Sequence, residues 1–144
     1  MSTPLERSFT YRLHLLHKVS DQSSHQSYLQ TLGLSLSEAR SLAAIGAFQP
    51  MSVMALADKG NLNKSQASRA AQNLVDKGWV YKTDHPEDGR GVALSLTPAG
   101  RQLWKQAMAL IEARNRHIVG CLSEKEQATL SALLDRLVAH NLGP

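Results

Sequence analysis

At 144 residues with a formal charge of +4, the chain is long enough for one domain with a real core, and basic enough to favour an anionic partner without identifying one. Its 42% hydrophobic content excludes a disordered chain, and no apolar run reaches the roughly 18 residues that a membrane span requires. The N-terminus lacks the apolar core of a secretory signal and the single Cys excludes an intrachain disulfide framework, so the expected compartment is the cytoplasm.

Residues 5–32 read as one long helix or two abutting ones. Phe9, Leu13, Leu16 and Val19 mark an apolar stripe that Tyr28, Leu29 and Leu32 resume, while Ser20 to Ser27 is polar and reads as a break or a wet segment. Gly33 stops the helix. Such a stripe needs cover, and the C-terminal helices and a second subunit are the expected cover. Ser35 with Glu38 forms a capping box that opens the next helix, whose buried side is Ala39, Leu42, Ala43 and Ile45. Gln49-Pro50-Met51 is a short extended connector. Ser52 caps a brief helix ending at Gly60.

Asn63 with Gln66 is a second capping box, with Leu62 and Ala67 placed as a hydrophobic staple. Ala67, Ala70, Ala71, Leu74 and Val75 then recur at helical spacing, and Gly78 ends the helix in the left-handed conformation. Trp79 to Lys82 and Val92 to Leu96 read as paired strands around a loop from Asp84 to Gly91 that is too long and too charged for a two-residue turn. Thr97-Pro98 starts a helix, Thr as cap and Pro at the first position, running to about Val119. Ser123 with Glu126 is a third capping box, followed by a stripe of Leu130, Leu133, Leu134, Leu137 and Val138.

The helix after Asn63 has an unusual outer face. Lys64, Ser65, Gln66, Ser68, Arg69, Gln72 and Asn73 cover it, with no acid before Asp76. Amides and Arg can pair with base edges in a major groove, while Ser and Lys suit phosphates. Taken alone, this helix reads equally well as a plain surface helix. The hairpin shifts the balance, although its tip also reads as a solvated turn with a local ion pair. Arg90 lies between two glycines near its tip, where a cation suits the narrow, electronegative minor groove, and Asp88 can hold the guanidinium in a defined pose. Three short helices joined by tight turns and followed directly by a hairpin describe a winged helix-turn-helix.

These residues resemble the MarR family of bacterial winged-helix regulators. The resemblance rests on Gly-Leu-Ser-Leu-Ser-Glu-Ala-Arg from Gly33, Asn-Lys-Ser-Gln-Ala-Ser-Arg from Asn63, Leu-Val-Asp-Lys-Gly-Trp-Val from Leu74, and Asp-Gly-Arg-Gly-Val-Ala-Leu-Ser-Leu-Thr-Pro-Ala-Gly from Asp88. It covers nearly the whole chain. One departure is Gly89, where the family often has a second Arg, so one wing cation is missing. The resemblance implies a mainly α fold with a small β-hairpin wing. Residues 1–34 would be an N-terminal dimerisation region, 35–97 a DNA-binding lobe and 98–144 C-terminal dimerisation helices. It implies a homodimer on a pseudo-palindromic operator of double-stranded DNA, usually a repressor released by a small molecule. Asn63, Lys64, Ser65, Gln66, Ser68, Arg69, Gln72, Asp88 and Arg90 are the expected DNA contacts. The segment Tyr11 to Lys18, with Lys64 to Gln72, also resembles a subgroup that controls catabolism of aromatic acids. Tyr11, Arg12, His14 and His17 are therefore the expected ligand residues, for an aromatic carboxylate.

Other readings are weaker. His14 and His17 stand one turn apart, but without a Cys or acid at fitting spacing they are thin grounds for a metal-responsive regulator. No metal site and no cofactor are expected. Cys121 has no flanking cation to activate it and reads as a structural thiol. No nucleophile elbow, phosphate loop or ligand cluster suggests catalysis, so no catalytic residue is assigned. A winged helix that binds a protein partner instead of DNA is the remaining rival.

Overall fold

The structure, a computed structural model, describes residues 3–84 and 91–144. A 3-10 turn at Leu5–Arg7 leads into α1 (Phe9–Leu32), α2 (Leu36–Phe48), α3 (Val53–Lys59) and α4 (Lys64–Asp76). Strands β1 (Val80–Asp84) and β2 (Val92–Leu96) follow, then α5 (Pro98–Ile118) and α6 (Glu124–Leu142). The fold is mainly α with a two-stranded antiparallel hairpin, the element order of a winged helix-turn-helix. The described chain divides into two compact units, Met1–Ile111 and Glu112–Pro144.

Local chemistry starts the helices where the sequence places the caps. The Glu38 N–H donates to Ser35 Oγ at 3.2 Å and the Ser35 N–H donates to Glu38 Oε1 at 2.8 Å. Asn63 with Gln66 and Ser123 with Glu126 make the same reciprocal pair. Ser52 accepts from the Ala55 N–H at 3.1 Å, and Thr97 from the Gly100 N–H at 2.9 Å. Each cap satisfies donors that a helix start otherwise leaves unpaired.

Three expectations are corrected. The polar middle of α1 is not a break: the helix runs through it, with Gln22, Ser23, His25 and Gln26 exposed on its wet side, while Ser24 is buried and Asp21 Oδ1 accepts from Arg40 Nη2 of α2 at 2.8 Å. That polar stretch faces a polar partner, so apolar periodicity could not register it as an interior face. The first strand begins at Val80 rather than Trp79 and extends to Asp84, which pairs with Val92. Cys121 is exposed rather than packed.

In the first unit the core joins Leu34, Leu42 and Ile45 to Leu56, Leu74, Val80 and Leu94. The connector residue Met51 is part of the sheet edge. It exchanges both backbone hydrogen bonds with Leu94, at 2.7 and 3.2 Å, while Gln49 Oε1 accepts from the Leu96 N–H at 2.9 Å. Trp104 of α5 lies against Gly46 of α2, and its Nε1 donates to the Ala43 carbonyl at 3.2 Å. In the second unit, none of the residues of α6 is buried, and Leu133, Leu134, Leu137 and Val138 are exposed. The apolar residues Phe9, Leu13, Leu16 and Val19 of α1 are likewise exposed.

The turn between α4 and the hairpin is clamped by the start of α5. Gly78 takes a φ of +84°, which a residue without Cβ adopts freely. Its carbonyl accepts from Thr97 Oγ1 at 2.7 Å, and the Trp79 carbonyl accepts from the Thr97 N–H at 3.1 Å. Gly100 lies directly against that same Trp79 carbonyl, and a Cβ there would strike backbone. Gly100→Ala should therefore destabilise the protein by about 1–3 kcal/mol through overpacking. A urea melt checks this, and an unchanged midpoint would mean that the Trp79 backbone yields.

Glu38 also reaches across to α4. Lys77 Nζ lies 3.2 Å from both carboxylate oxygens, and the Glu38 side chain is only 7% exposed. Burial opposes the charged form, but the Ser35 N–H and the Lys77 ammonium outweigh it and hold the carboxyl below its ordinary 4.5. A carboxyl whose folded value is depressed stabilises the fold above its unfolded value, and that stability is lost as pH falls through the folded value. Glu38→Gln should thus cost about 1–3 kcal/mol near neutral pH, with the gap to wild type closing as the pH falls through the depressed folded value. Denaturation curves of both proteins across that range test it; a gap independent of pH would contradict the assigned charge.

Candidate nucleic-acid interface

The helix α4 is held on its inner side and free on its outer side. Ala67, Ala70, Ala71 and Leu74 are buried where α4 packs on α2 and α3. Small side chains let the helices approach closely, so the orientation of α4 is set by backbone-near contacts. Its N-terminus is fixed by the Asn63–Gln66 box, with hydrogen bonds of 2.8 and 3.1 Å. Its C-terminus is fixed by the Lys77–Glu38 pair and by the clamp on Gly78 and Trp79.

The outer face carries Asn63, Lys64, Ser65, Ser68, Arg69, Gln72 and Asn73, all exposed, while Gln66 is half-buried. The expected contacts on α4 therefore lie together on one surface, but their side chains are not equally available. Asn63 Oδ1 and Gln66 Oε1 are engaged in capping. Gln72 Nε2 donates to Asp76 Oδ1 at 2.8 Å, and Gln72 Oε1 accepts from Lys82 Nζ at 2.8 Å. Lys64, Ser65, Ser68 and Arg69 have no side-chain partner among the described residues. Two hydroxyls and two cations are thus free to meet an external ligand, and they suit phosphate oxygens and guanine edges. Asp88 and Arg90, the expected wing contacts, lie outside the described residues.

Of the expected ligand residues, Tyr11 and His14 come together with Thr10 and Lys18 around an open depression of about 400 Å3 on α1. Arg12 is exposed and does not line it. His17 is committed elsewhere, its Nε2 lying 3.1 Å from Asp21 Oδ2. Among the described residues no three His, Cys, Asp or Glu side chains converge as a metal site would require. No described helix is long and apolar enough to cross a membrane.

Sequence reasoning missed the residues that position this surface. Lys77 and Lys82 looked like ordinary surface cations, and Glu38 announced only its capping role. The partner of each is ten or more positions away, so no local spacing could expose it.

Comparison with known proteins agrees with this geometry. The MarR family model matches residues 32–91. The multiple antibiotic resistance protein MarR of Escherichia coli is 25% identical over 127 residues, covering 88% of each chain. A crystal structure of a mutant of that protein complexed with operator DNA aligns with a TM-score of 0.80 at 23% identity, covering 96% of this chain and 100% of that one. A MarR/EmrR family transcriptional regulator from Acinetobacter sp. ADP1 aligns with a TM-score of 0.83 at 26% identity, over 94% of this chain and 95% of its own. The HTH-type transcriptional repressor Rv2887 of Mycobacterium tuberculosis is 27% identical over 109 residues, 76% of this chain and 78% of its own. Its structure in complex with p-aminosalicylic acid aligns with a TM-score of 0.74 at 23% identity, covering 92% of this chain and 99% of that one. The family model lies over α2, α3, α4 and β1, and relatives and solved structures named for that family are matched over most of the chain, so the chain is similar to MarR-family transcriptional regulators.

Proposed function

We propose that two copies of this chain bind a pseudo-palindromic operator and repress transcription until a small aromatic carboxylate releases them. The observation that carries this reading is the outer face of α4, where Lys64, Ser65, Ser68 and Arg69 stand exposed and unengaged among the described residues. In each copy α4 enters the major groove, and Arg90 with Asp88 serves the adjacent minor groove. Residues 35–97 act as the reading lobe, and residues 1–34 and 98–144 supply the dimer helices. The exposed Leu133, Leu134, Leu137 and Val138 of α6, and the exposed Phe9, Leu13 and Leu16 of α1, support that division, because uncovered stripes of this size want a partner. Repression and an aromatic ligand are supported by the name and bound compound of the Mycobacterium tuberculosis relative. Tyr11 and His14, with Arg12 and His17 nearby on α1, are the proposed ligand contacts. The working site is the cytoplasm, on double-stranded DNA.

Fluorescence anisotropy on the chain's selected duplex tests the DNA contacts. Wild-type affinity should fall linearly with salt on a log–log scale. Arg69→Ala should relax preference at one base position, by about 1–3 kcal/mol, while Arg90→Ala should weaken all duplexes alike. Normal operator binding by both variants would remove the interface.

Ligand release is tested by titrating p-aminosalicylate into the labelled complex. The DNA should dissociate, and His14→Ala or Arg12→Ala should raise the concentration required. Unchanged release in both variants would remove α1 as the ligand-binding element.

A further inference from the structure

Gln72 of α4 is hydrogen-bonded to Asp76 and to Lys82 of β1, neither of them among the expected DNA contacts. Gln72 sits on the exposed face of α4, one turn before Asp76. Lys82 lies in the middle of β1, directly across from Leu94. Side chains directly opposite each other in an antiparallel pair share a face of the sheet, and successive residues alternate. Lys82 therefore belongs to the face that carries Val80, Leu94 and Leu96, all buried. Its side chain is nevertheless exposed. Its ammonium leaves that apolar face by reaching back to Gln72 Oε1 at 2.8 Å.

The chemistry of the two partners settles which way the amide faces. An ammonium can only donate, so the Gln72 atom at Lys82 must be the carbonyl oxygen. A carboxylate can only accept, so the atom at Asp76 must be the nitrogen. An exposed glutamine without such partners can turn its amide over and present either edge. This one cannot do so without placing donor against donor and acceptor against acceptor. One lone pair of Oε1 and one N–H of Nε2 remain unspent, because an amide has two of each. An acceptor and a donor side by side match the N6 amino group and N7 of adenine.

We infer that Lys82 and Asp76 are positioning residues that lock the amide of Gln72 in one orientation, making Gln72 a specificity-determining contact for adenine. This rests on the reading of α4 as the helix in the major groove. Lys82 then serves base selection from the wing strand without touching DNA, and Asp76, an acid beside a polyanion, is retained for orienting the amide.

The test selects binding sites from a randomised duplex library with the full-length protein, then measures salt slopes on the winning sequence. Wild type should enrich a symmetric site with an A·T pair at one position in each half. Gln72→Ala, Lys82→Met and Asp76→Ala should each broaden preference at that same position, with a selectivity on the order of tenfold falling toward onefold. Lys82→Arg, which still donates, should keep the wild-type profile. The salt slope of Lys82→Met should equal that of wild type, because no phosphate contact is lost. If Lys82→Met instead keeps the wild-type profile and loses about one unit of slope, Lys82 is a phosphate contact and the inference fails. It also fails if only Gln72→Ala changes the profile. If wild type itself enriches no site, the failure lies in the operator reading, before any variant is compared. All four variants lie on exposed positions, and matching thermal melts separate altered recognition from altered folding.

Discussion

The ion pair between Glu38 and Lys77 is the interaction on which the placement of α4 depends. It bridges the start of α2 and the residue just after α4, at 3.2 Å and almost out of solvent on the Glu38 side. A buried pair of this kind contributes uncertain net stability, since desolvation offsets much of the attraction. What it contributes here is geometry. The same carboxylate caps α2 through the Ser35 N–H, so the first turn of one helix and the end of the next share a single group. Immediately beyond it the chain turns at Gly78 and is clamped by Thr97 and Gly100. The outer face of α4 is thus fixed from below, and none of the fixing residues occupies the face itself.

That separation shapes how the polar residues of α4 are spent. A helix rich in Ser, Asn and Gln invites its own side chains to bond its backbone. Asn63 and Gln66 do so at the N-terminus, where the exposed backbone N–H groups need them. Gln72 is spent differently, on side chains of α4 and β1. The remaining hydroxyls and cations are left unengaged among the described residues. A surface helix built for stability would carry paired acids and bases at four-residue spacing; this one forgoes those small gains.

The two ends of the chain make a complementary point. A chain with 42% hydrophobic residues has enough apolar surface for a full core, yet much of it lies on α1 and α6 as exposed stripes. The core of the first unit is complete without them, closing over Leu42, Ile45, Leu56, Leu74 and Leu94. Under the proposed function, this uncovered apolar area is the surface on which two copies would associate.

Much of this was legible in the chain itself because its causes are local. A capping box needs two residues three apart, so Ser35, Asn63 and Ser123 could be read directly, and so could the alanine stripe of α4 and the order of helices and hairpin. The outer face of α4 was legible for the same reason: a helix with no acid for most of its length shows in one dimension. Tertiary structure alone decided which of those residues remain free. Gln72 and Arg69 are both polar positions on a helix in the sequence, but Lys82 arrives from the hairpin and claims one of them. Asp21 meets Arg40, Met51 joins Leu94 and Glu38 meets Lys77 for a like reason. Such pairings depend on where distant segments are brought by folding, and no spacing along the chain encodes them.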